Sequence, residues 1–333
     1  MKAVVLHAVS DLRYEDVPEP QVVSGSVRVR IGFCGVCGSD IPRIFQKGAY
    51  HFPTICGHEL AGTVAEVASD VTRFKIGDRV AVFPLLWCGK CRACAEGKYA
   101  QCEDYDYFGS RRDGGFAASV VVPSRNLLQV PAGVSLEEAA MTEPASVARH
   151  ALRRVGAKLT GKSVVIFGAG PIGLMVAQWA RTMGAHPVTL ADLIPQKLDL
   201  ARKMGFQAGT SEDGADVAVD AAGAPSALAA AMRATRRGGA VVLLGNPAGD
   251  LQMPASLWSQ LMRREVTLFG SWNSDYSVTG PEDDWHASLA AMAQKQLNLK
   301  PLISHRVPLA NAIAALQMMK DGKEFYSKVL IQP

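Results

Sequence analysis

Residues 87–102 read WCGKCRACAEGKYAQC and contain Cys88, Cys91, Cys94 and Cys102, four of the seven cysteines in a chain of 333 residues. The spacing is C-x2-C-x2-C-x7-C. Thiolates two residues apart reach one ion from a tight turn, and four of them complete the tetrahedral shell of a structural zinc. Zinc with four thiolates carries a net charge of about −2, which Lys90, Arg92 and Lys98 in the same loop are expected to offset. An iron–sulfur cluster fits less well. The bacterial ferredoxin run has about three residues before its fourth cysteine and a proline after it, whereas this chain has seven residues and then Glu103. A closed shell offers no open position to a substrate, so the cluster reads as scaffold.

A catalytic zinc keeps such a position open and uses fewer protein ligands. The other cysteines are Cys34, Cys37 and Cys56, with Gly57-His58-Glu59 nearby. Cys37 and His58 are candidate ligands from two loops, and Asp40 is placed to orient the His58 ring through its other nitrogen. A lone cysteine is more often buried packing, and a lone histidine is more often hydrogen-bonded than ligating. Glu143, in Met141-Thr142-Glu143-Pro144, falls at the expected domain boundary. On position alone it reads as a solvated acid beside a helix start.

A third constellation is Phe167-Gly168-Ala169-Gly170-Pro171-Ile172-Gly173, with Asp192 following 19 residues after Gly173. A bare G-x-G-x-x-G is weak, but after a strand, before a helix and with a distal acid it is a dinucleotide fingerprint. The glycines let backbone approach a pyrophosphate at the helix N-terminus. Asp192 can accept hydrogen bonds from the adenosine ribose and would repel a 2′-phosphate, which favours NAD over NADP.

The elements that must position these groups change character along the chain. Residues 1 to about 130 hold short alternating runs such as Ser26–Ile31, Thr63–Val67 and Phe116–Val122, separated by turns such as Ile76-Gly77-Asp78. This part reads as mostly antiparallel β. From about 146 the pattern becomes strand, glycine turn, helix: Val164–Phe167, a helix over Pro171–Met183, Val188–Leu190, and a helix from Pro195 to Gly205. Strand-like runs follow at Val217–Val219, Ala240–Leu244 and Val266–Phe269, the rhythm of a doubly wound parallel sheet. Two helical patterns and a final strand, Lys328–Gln332, close the chain. Between a third strand near Phe206–Ala208 and the fourth, only Gly209–Asp216 remain. A helical crossover needs about a dozen residues, so this helix is expected to be missing and the third strand short or absent.

Composition bounds the function classes. Apolar residues make up 48% and charged residues 20%, a globular balance, and a net charge of +4 is too mild to suggest nucleic acid. The longest apolar run, Val164–Ala177, is 14 residues with three glycines and a proline. A membrane span needs roughly 18, so the run is the strand, turn and helix of the nucleotide motif. Asp11 and Arg13 interrupt the N-terminus too early for an export signal. The expected compartment is therefore the cytoplasm, where clustered cysteines bind metal more often than they form disulfides.

Taken together, the chain resembles the zinc-dependent medium-chain dehydrogenase/reductase superfamily over its full length. The frame is Cys37-Gly38-Ser39-Asp40, Gly57-His58-Glu59, the four-cysteine lobe and Gly168–Gly173. Within it the chain looks most like the galactitol-phosphate members of the polyol branch. The matching stretches are CGSDIPRIFQKGAYHFP (37–53), YFGSRRDGGFA (107–117), TEPASV (142–147) and FGSWN (269–273). The resemblance implies an α/β architecture, with a GroES-like, mostly-β catalytic domain at 1–145 carrying the zinc lobe at 88–102. A Rossmann domain at 146–275 and a segment at 276–333 returning to the catalytic domain complete it. It implies two zinc ions per chain, the catalytic one held by Cys37, His58 and Glu143 with Glu59 close by, and Ser39 as carrier of the alcohol proton. Many relatives have a histidine three residues beyond that hydroxyl; this chain has Pro42. The expected cofactor contacts are Gly168, Gly170, Pro171, Ile172, Gly173, Asp192, Lys197 and Gly245.

The implied reaction is oxidation of galactitol 1-phosphate to tagatose 6-phosphate with hydride transfer to NAD, in a homo-oligomer, dimer or tetramer. The alternative is a dehydrogenase of an unphosphorylated polyol, of threonine or of another secondary alcohol. Substrate contacts are expected from Arg43, Arg111, Arg112, Trp272 and Asn273. Arg43 and Lys47 follow the Cys37 loop, and the glycines of Gly109–Gly115 would let backbone N–H groups approach a phosphate. A bidentate arginine suits that anion better than a lysine.

Overall fold

The structure, a computed structural model, describes residues 1–210 and 214–333. It divides into two compact units, one of Met1–Glu143, Asp275–Gln294 and Leu302–Pro333, the other of Pro144–Ser274 and Lys295–Pro301.

The first unit is built on the strand Ser26–Gly35, whose alternating valines and isoleucine face a buried core while Arg28 and Arg30 point outward. It pairs antiparallel with Glu59–Val67, with Ser119–Pro123 and with the C-terminal strand Lys328–Gln332. The final strand thus adds a charged residue, Lys328, to a sheet laid down some 300 residues earlier in the chain. A further strand, Ile303–Pro308, pairs parallel with Lys328–Gln332 and was not anticipated from the sequence. Its apolar alternation is weak, with Ile303 alone buried among six residues.

The helix Asp284–Ala293 in this unit starts at Asp283, whose carboxylate accepts from the N–H groups of Trp285 and His286, both at 2.8 Å. It also accepts from Ser277 N–H at 2.8 Å. The cap fixes Trp285, which is fully buried edge-on against Phe83 at 5.2 Å between centroids. Phe83 in turn stacks on Tyr276 at 4.3 Å, in the core that packs against the cysteine lobe.

The second unit holds a six-stranded sheet in the order Gln207–Ala208, Val188–Ala191, Val164–Phe167, Ala215–Asp220, Thr235–Leu243, Thr267–Gly270. All neighbours run parallel. This is the 3-2-1-4-5-6 order of a dinucleotide-binding sheet. Its third strand is two residues long, as the short interval after it requires. Gly209, Thr210 and Gly214 lie outside any helix, and residues 211–213 of the expected missing crossover lie outside the described residues. The helices Pro171–Thr182 and Pro195–Lys203 both carry proline in their first turn, and Gly205 follows the second at φ +80°. Among the described residues, no helix is long and apolar enough to cross a membrane.

Because Asp283 satisfies three backbone N–H groups at once, we expect Asp283→Ala to cost about 2 kcal/mol. Urea unfolding followed by tryptophan fluorescence checks this, and a loss below about 0.5 kcal/mol would contradict the capping account.

Candidate active site

The first metal-binding candidate lies where two loops of the first unit meet. Cys37 follows the strand Ser26–Gly35, and His58 leads directly into the strand Glu59–Val67. One ligand atom from each of Cys37, His58 and Glu59 falls within 4.8 Å of the others. Asp40, fully buried, braces both sides. Its carboxylate accepts from Cys37 N–H at 3.0 Å and from Arg43 Nη1 at 2.8 Å, and stands 3.6 Å from His58 Nδ1. Burial opposes the charge on Asp40, but His58, Arg43 and the Cys37 N–H outweigh it and hold its pKa below the usual carboxylate value. For His58, burial disfavours the imidazolium, yet the Asp40 charge and Cys37 raise its pKa well above the ordinary value. Ser39 donates from Oγ to Cys37 Sγ at 3.3 Å.

Glu143 is buried but is not one of the three residues within 4.8 Å. It accepts from Tyr107 Oη at 3.4 Å, and burial lifts its carboxyl to about 7, with Glu59 adding repulsion and His58 and Lys328 offsetting it. The geometry therefore gathers Glu59 more tightly with Cys37 and His58 than it does Glu143. Cys34 and Cys56 are buried packing, with burial pushing Cys56 to about 12.

Two residues of this group escaped sequence reasoning. Lys328 is buried, forms an ion pair with Glu59 and donates to Val36 O at 3.1 Å. Burial works against its charge, but Glu59 and Cys37 keep its pKa raised. The only signal was a lysine opening an otherwise apolar strand. Tyr107 packs edge-on against His58 at 5.7 Å between centroids and is fixed by a turn in which the N–H groups of Arg111 and Arg112 donate to its carbonyl. Gly35 makes this packing possible. A Cβ there would lie 2.2 Å from Glu59 Oε2 and 3.0 Å from Lys328 Cε.

These residues fit a zinc ion with an open position. They supply sulfur, nitrogen and oxygen donors within 4.8 Å of one another, and because Nδ1 of His58 faces Asp40, the other ring nitrogen is left for the ion.

The cysteine lobe fits a closed site. Its sulfur–sulfur distances are 3.5 Å (Cys91–Cys94), 3.9 Å (Cys88–Cys94) and 4.0 Å (Cys91–Cys102). Four thiolates at about 2.3 Å around a tetrahedral centre sit about 3.8 Å apart. Backbone N–H groups of Glu103 and Cys94 lower Cys91 to about 6, whereas burial raises Cys94 to about 12. Arg92 and Lys98, expected to offset the thiolates, instead pair with Glu96 at 2.9 and 2.8 Å. Trp87 stacks on Tyr99 at 4.1 Å and beneath Arg125 at 4.2 Å, which holds the lobe to its core.

In the second unit the glycine turn has the shape its sequence implies. Gly168 has φ +107°, and a Cβ on Gly173 would meet Gly168 O at 1.8 Å. Gly170 caps the helix that Pro171, Ile172 and Gly173 begin. Asp192 accepts from Ala169 N–H at 2.7 Å and Ile194 N–H at 2.9 Å, with Lys197 Nζ 4.0 Å away. It therefore ties the turn to the end of the next strand, and each carboxylate oxygen retains a lone pair for a ribose hydroxyl. Gly245 donates to Asp220 O at 2.7 Å and lies too close to Gly223 for any side chain.

The remaining substrate candidates are dispersed. Arg43 pairs with Asp40 and Arg112 pairs with Asp106, each at 2.7–2.8 Å. Arg111 packs over Tyr50 and Tyr105. In the second unit, Trp272 is 62% exposed and Asn273 adopts φ +54°. The N–H groups of Gly109, Arg111, Arg112, Gly114 and Gly115 all donate to backbone carbonyls, so this loop does not present the backbone anion site expected of its glycines.

A GroES-like fold carrying two metal-fitting cysteine groups, in one chain with a 3-2-1-4-5-6 sheet and its glycine turn, defines a dehydrogenase of the zinc-binding type. The model of the alcohol dehydrogenase GroES-like domain matches residues 23–132, and that of the zinc-binding dehydrogenases matches 171–294. The chain is 35% identical over 322 residues to galactitol 1-phosphate 5-dehydrogenase of Escherichia coli K12, covering 92% of each. It is 32% identical over 354 residues to sorbitol dehydrogenase of Bacillus subtilis, covering 100% of this chain and 97% of that one. The crystal structure of galactitol-1-phosphate dehydrogenase from Escherichia coli superposes with a TM-score of 0.92 at 34% identity over the whole of both chains. The chain belongs to the medium-chain dehydrogenase superfamily, among its zinc-binding alcohol and polyol dehydrogenases.

Removing Lys328 would leave the Glu59 carboxylate buried without its counter-charge. We expect Lys328→Met to cost about 3–5 kcal/mol, read by urea unfolding. A loss below about 1 kcal/mol would show that Glu59 sheds its charge or reaches water instead.

Proposed function

We propose that the chain oxidises a secondary alcohol of a polyol phosphate, galactitol 1-phosphate to tagatose 6-phosphate, with NAD as hydride acceptor. The observation that carries this reading is the mixed-donor group of Cys37, His58 and Glu59, with the Ser39 hydroxyl 3.3 Å from Cys37 Sγ. It stands in a chain 35% identical to a galactitol 1-phosphate 5-dehydrogenase. Cys37 and His58, with Glu143 or Glu59 as the oxygen donor, would hold a zinc ion, which would supply the Lewis acidity that lowers the pKa of a substrate hydroxyl, and bound NAD would supply the hydride acceptor.

This chain's own residues supply the rest. Asp40 holds the Cys37 backbone and stands by the His58 ring, so both donors keep their orientation without substrate. Ser39 turns its hydroxyl from Cys37 to the substrate oxygen and relays that proton, taking it up as its own hydroxyl proton passes on. Pro42, where many relatives have a histidine, offers no onward acceptor for that proton. The carboxylate of Asp192 accepts from the ribose hydroxyls and repels a 2′-phosphate. Cys88, Cys91, Cys94 and Cys102 hold a second zinc that takes no part in the chemistry.

The second reading is an unphosphorylated polyol as substrate. It is favoured by the 32% identity to sorbitol dehydrogenase, which extends over the whole of this chain.

NADH formation across galactitol 1-phosphate, galactitol, sorbitol and threonine separates the two readings. We expect kcat/KM for galactitol 1-phosphate to exceed that for galactitol by at least about tenfold. Equal efficiency would transfer the assignment to the neutral polyols. With the preferred substrate, we expect NAD to be favoured over NADP by at least about tenfold, and equal use of both would overturn the role of Asp192.

A further inference from the structure

Three arginines follow the metal-site loops in sequence, and the structure separates them by what already occupies their guanidinium groups. Arg43 donates from Nη1 to the buried carboxylate of Asp40 at 2.8 Å, and its charge helps keep Asp40 ionised. Arg112 donates from Nε to Asp106 at 2.7 Å, with its side chain 49% exposed. Arg111 has no carboxylate partner among the described residues. Its guanidinium carbon lies 4.2 Å from the ring centroid of Tyr50 and 4.6 Å from that of Tyr105.

An aromatic ring attracts a guanidinium through its quadrupole without neutralising its charge. The five N–H donors lie in the plane and at its edge, so packing on rings restricts the group without consuming its donors. Such an arginine is charged, oriented and unneutralised, which is what bidentate capture of a phosphate monoester requires. The backbone cannot do this in its place, because the N–H groups around it are committed to carbonyls.

Position supports the same assignment. Tyr105 lies 6.3 Å from Tyr107 between ring centroids, and Tyr107 lies 5.7 Å from His58. The N–H of Arg111 donates to Tyr107 O at 3.0 Å, so the residue that packs on His58 also anchors the turn bearing Arg111. From a secondary hydroxyl at the fifth carbon, an extended chain places a phosphorus on the first about 8 Å away. The group that takes this phosphate must therefore stand a side chain or two out from the metal-site residues, and Arg111 follows His58 through Tyr107 and Tyr105.

We propose that Arg111, packed over Tyr50 and Tyr105, is the residue that recognises the phosphate of the substrate and sets the preference for phosphorylated over neutral polyols. This inference rests on the polyol-phosphate reading above.

The test compares wild type with Arg111→Met, Arg111→Lys, Lys47→Met and Arg112→Met. It uses kcat/KM on galactitol 1-phosphate and galactitol, and calorimetric binding of galactitol 1-phosphate. In Arg111→Met the ratio of the two efficiencies is expected to fall about ten- to a hundredfold, mainly through a higher KM for the phosphate ester, with a matching rise in its Kd. Arg111→Lys, which keeps the charge but loses the fork, is expected to fall between wild type and Arg111→Met. Three results overturn the inference while the polyol-phosphate reading stands: an unchanged ratio in Arg111→Met, equal losses on both substrates with no change in Kd, or a ratio that collapses in Lys47→Met or Arg112→Met instead. A wild-type enzyme that treats both substrates alike removes the reading and the inference with it.

Discussion

A buried ion pair fixes the candidate active site: Lys328 against Glu59, across a position where Gly35 has no side chain. Desolvating two opposite charges costs several kcal/mol per ion and is recovered only with good geometry and further hydrogen bonds. Both conditions are met through strand register. Gly35 stands opposite Glu59 on one side and Leu330 on the other, which brings the start of the last strand over the Glu59 carboxylate. Lys328 completes its coordination on Val36 O. The C-terminal strand therefore does more than close a sheet, because it delivers the cation that lets an acid remain buried beside Cys37 and His58.

The two metal groups illustrate how one unit treats sulfur in opposite ways. In the lobe, four thiols converge at near-tetrahedral spacing and aromatic stacking holds the loop in place. Around Cys37, one thiol is set among an imidazole, buried carboxylates, a lysine and a serine hydroxyl. A ligand set of mixed type, braced by groups that do not bind the metal themselves, leaves coordination space that a four-thiolate shell lacks. Asp40 is the brace: a single carboxylate engages the Cys37 backbone and Arg43 and stands beside His58.

Much of this was legible in the sequence because it is local. The cysteine spacing, the glycine turn, the prolines that open two helices and the short interval after Ala208 are each decided within a few residues, and the sheet order and strand lengths agree with them. Lys328 and Tyr107 were not legible, since their importance comes from pairing between residues far apart in sequence. The strand Ile303–Pro308 was missed because it lies at a sheet edge, where few of its side chains need be apolar. The glycine loop at 109–115 misled in another way. Glycines free a backbone to approach a ligand, but here they let the loop approach Gly57 and Ile55.

On the function proposed above, this chain would hold two zinc ions, one closed by four thiolates and one bound by a single thiolate with nitrogen and oxygen donors. Zinc K-edge absorption before and after mild chelation tests it directly. The account predicts about 2.5 sulfur ligands per zinc before treatment, and about four at about 2.3 Å on the single zinc that remains. An all-sulfur spectrum from the untreated protein, or nitrogen and oxygen scatterers at about 2.0–2.1 Å that survive chelation, would contradict it.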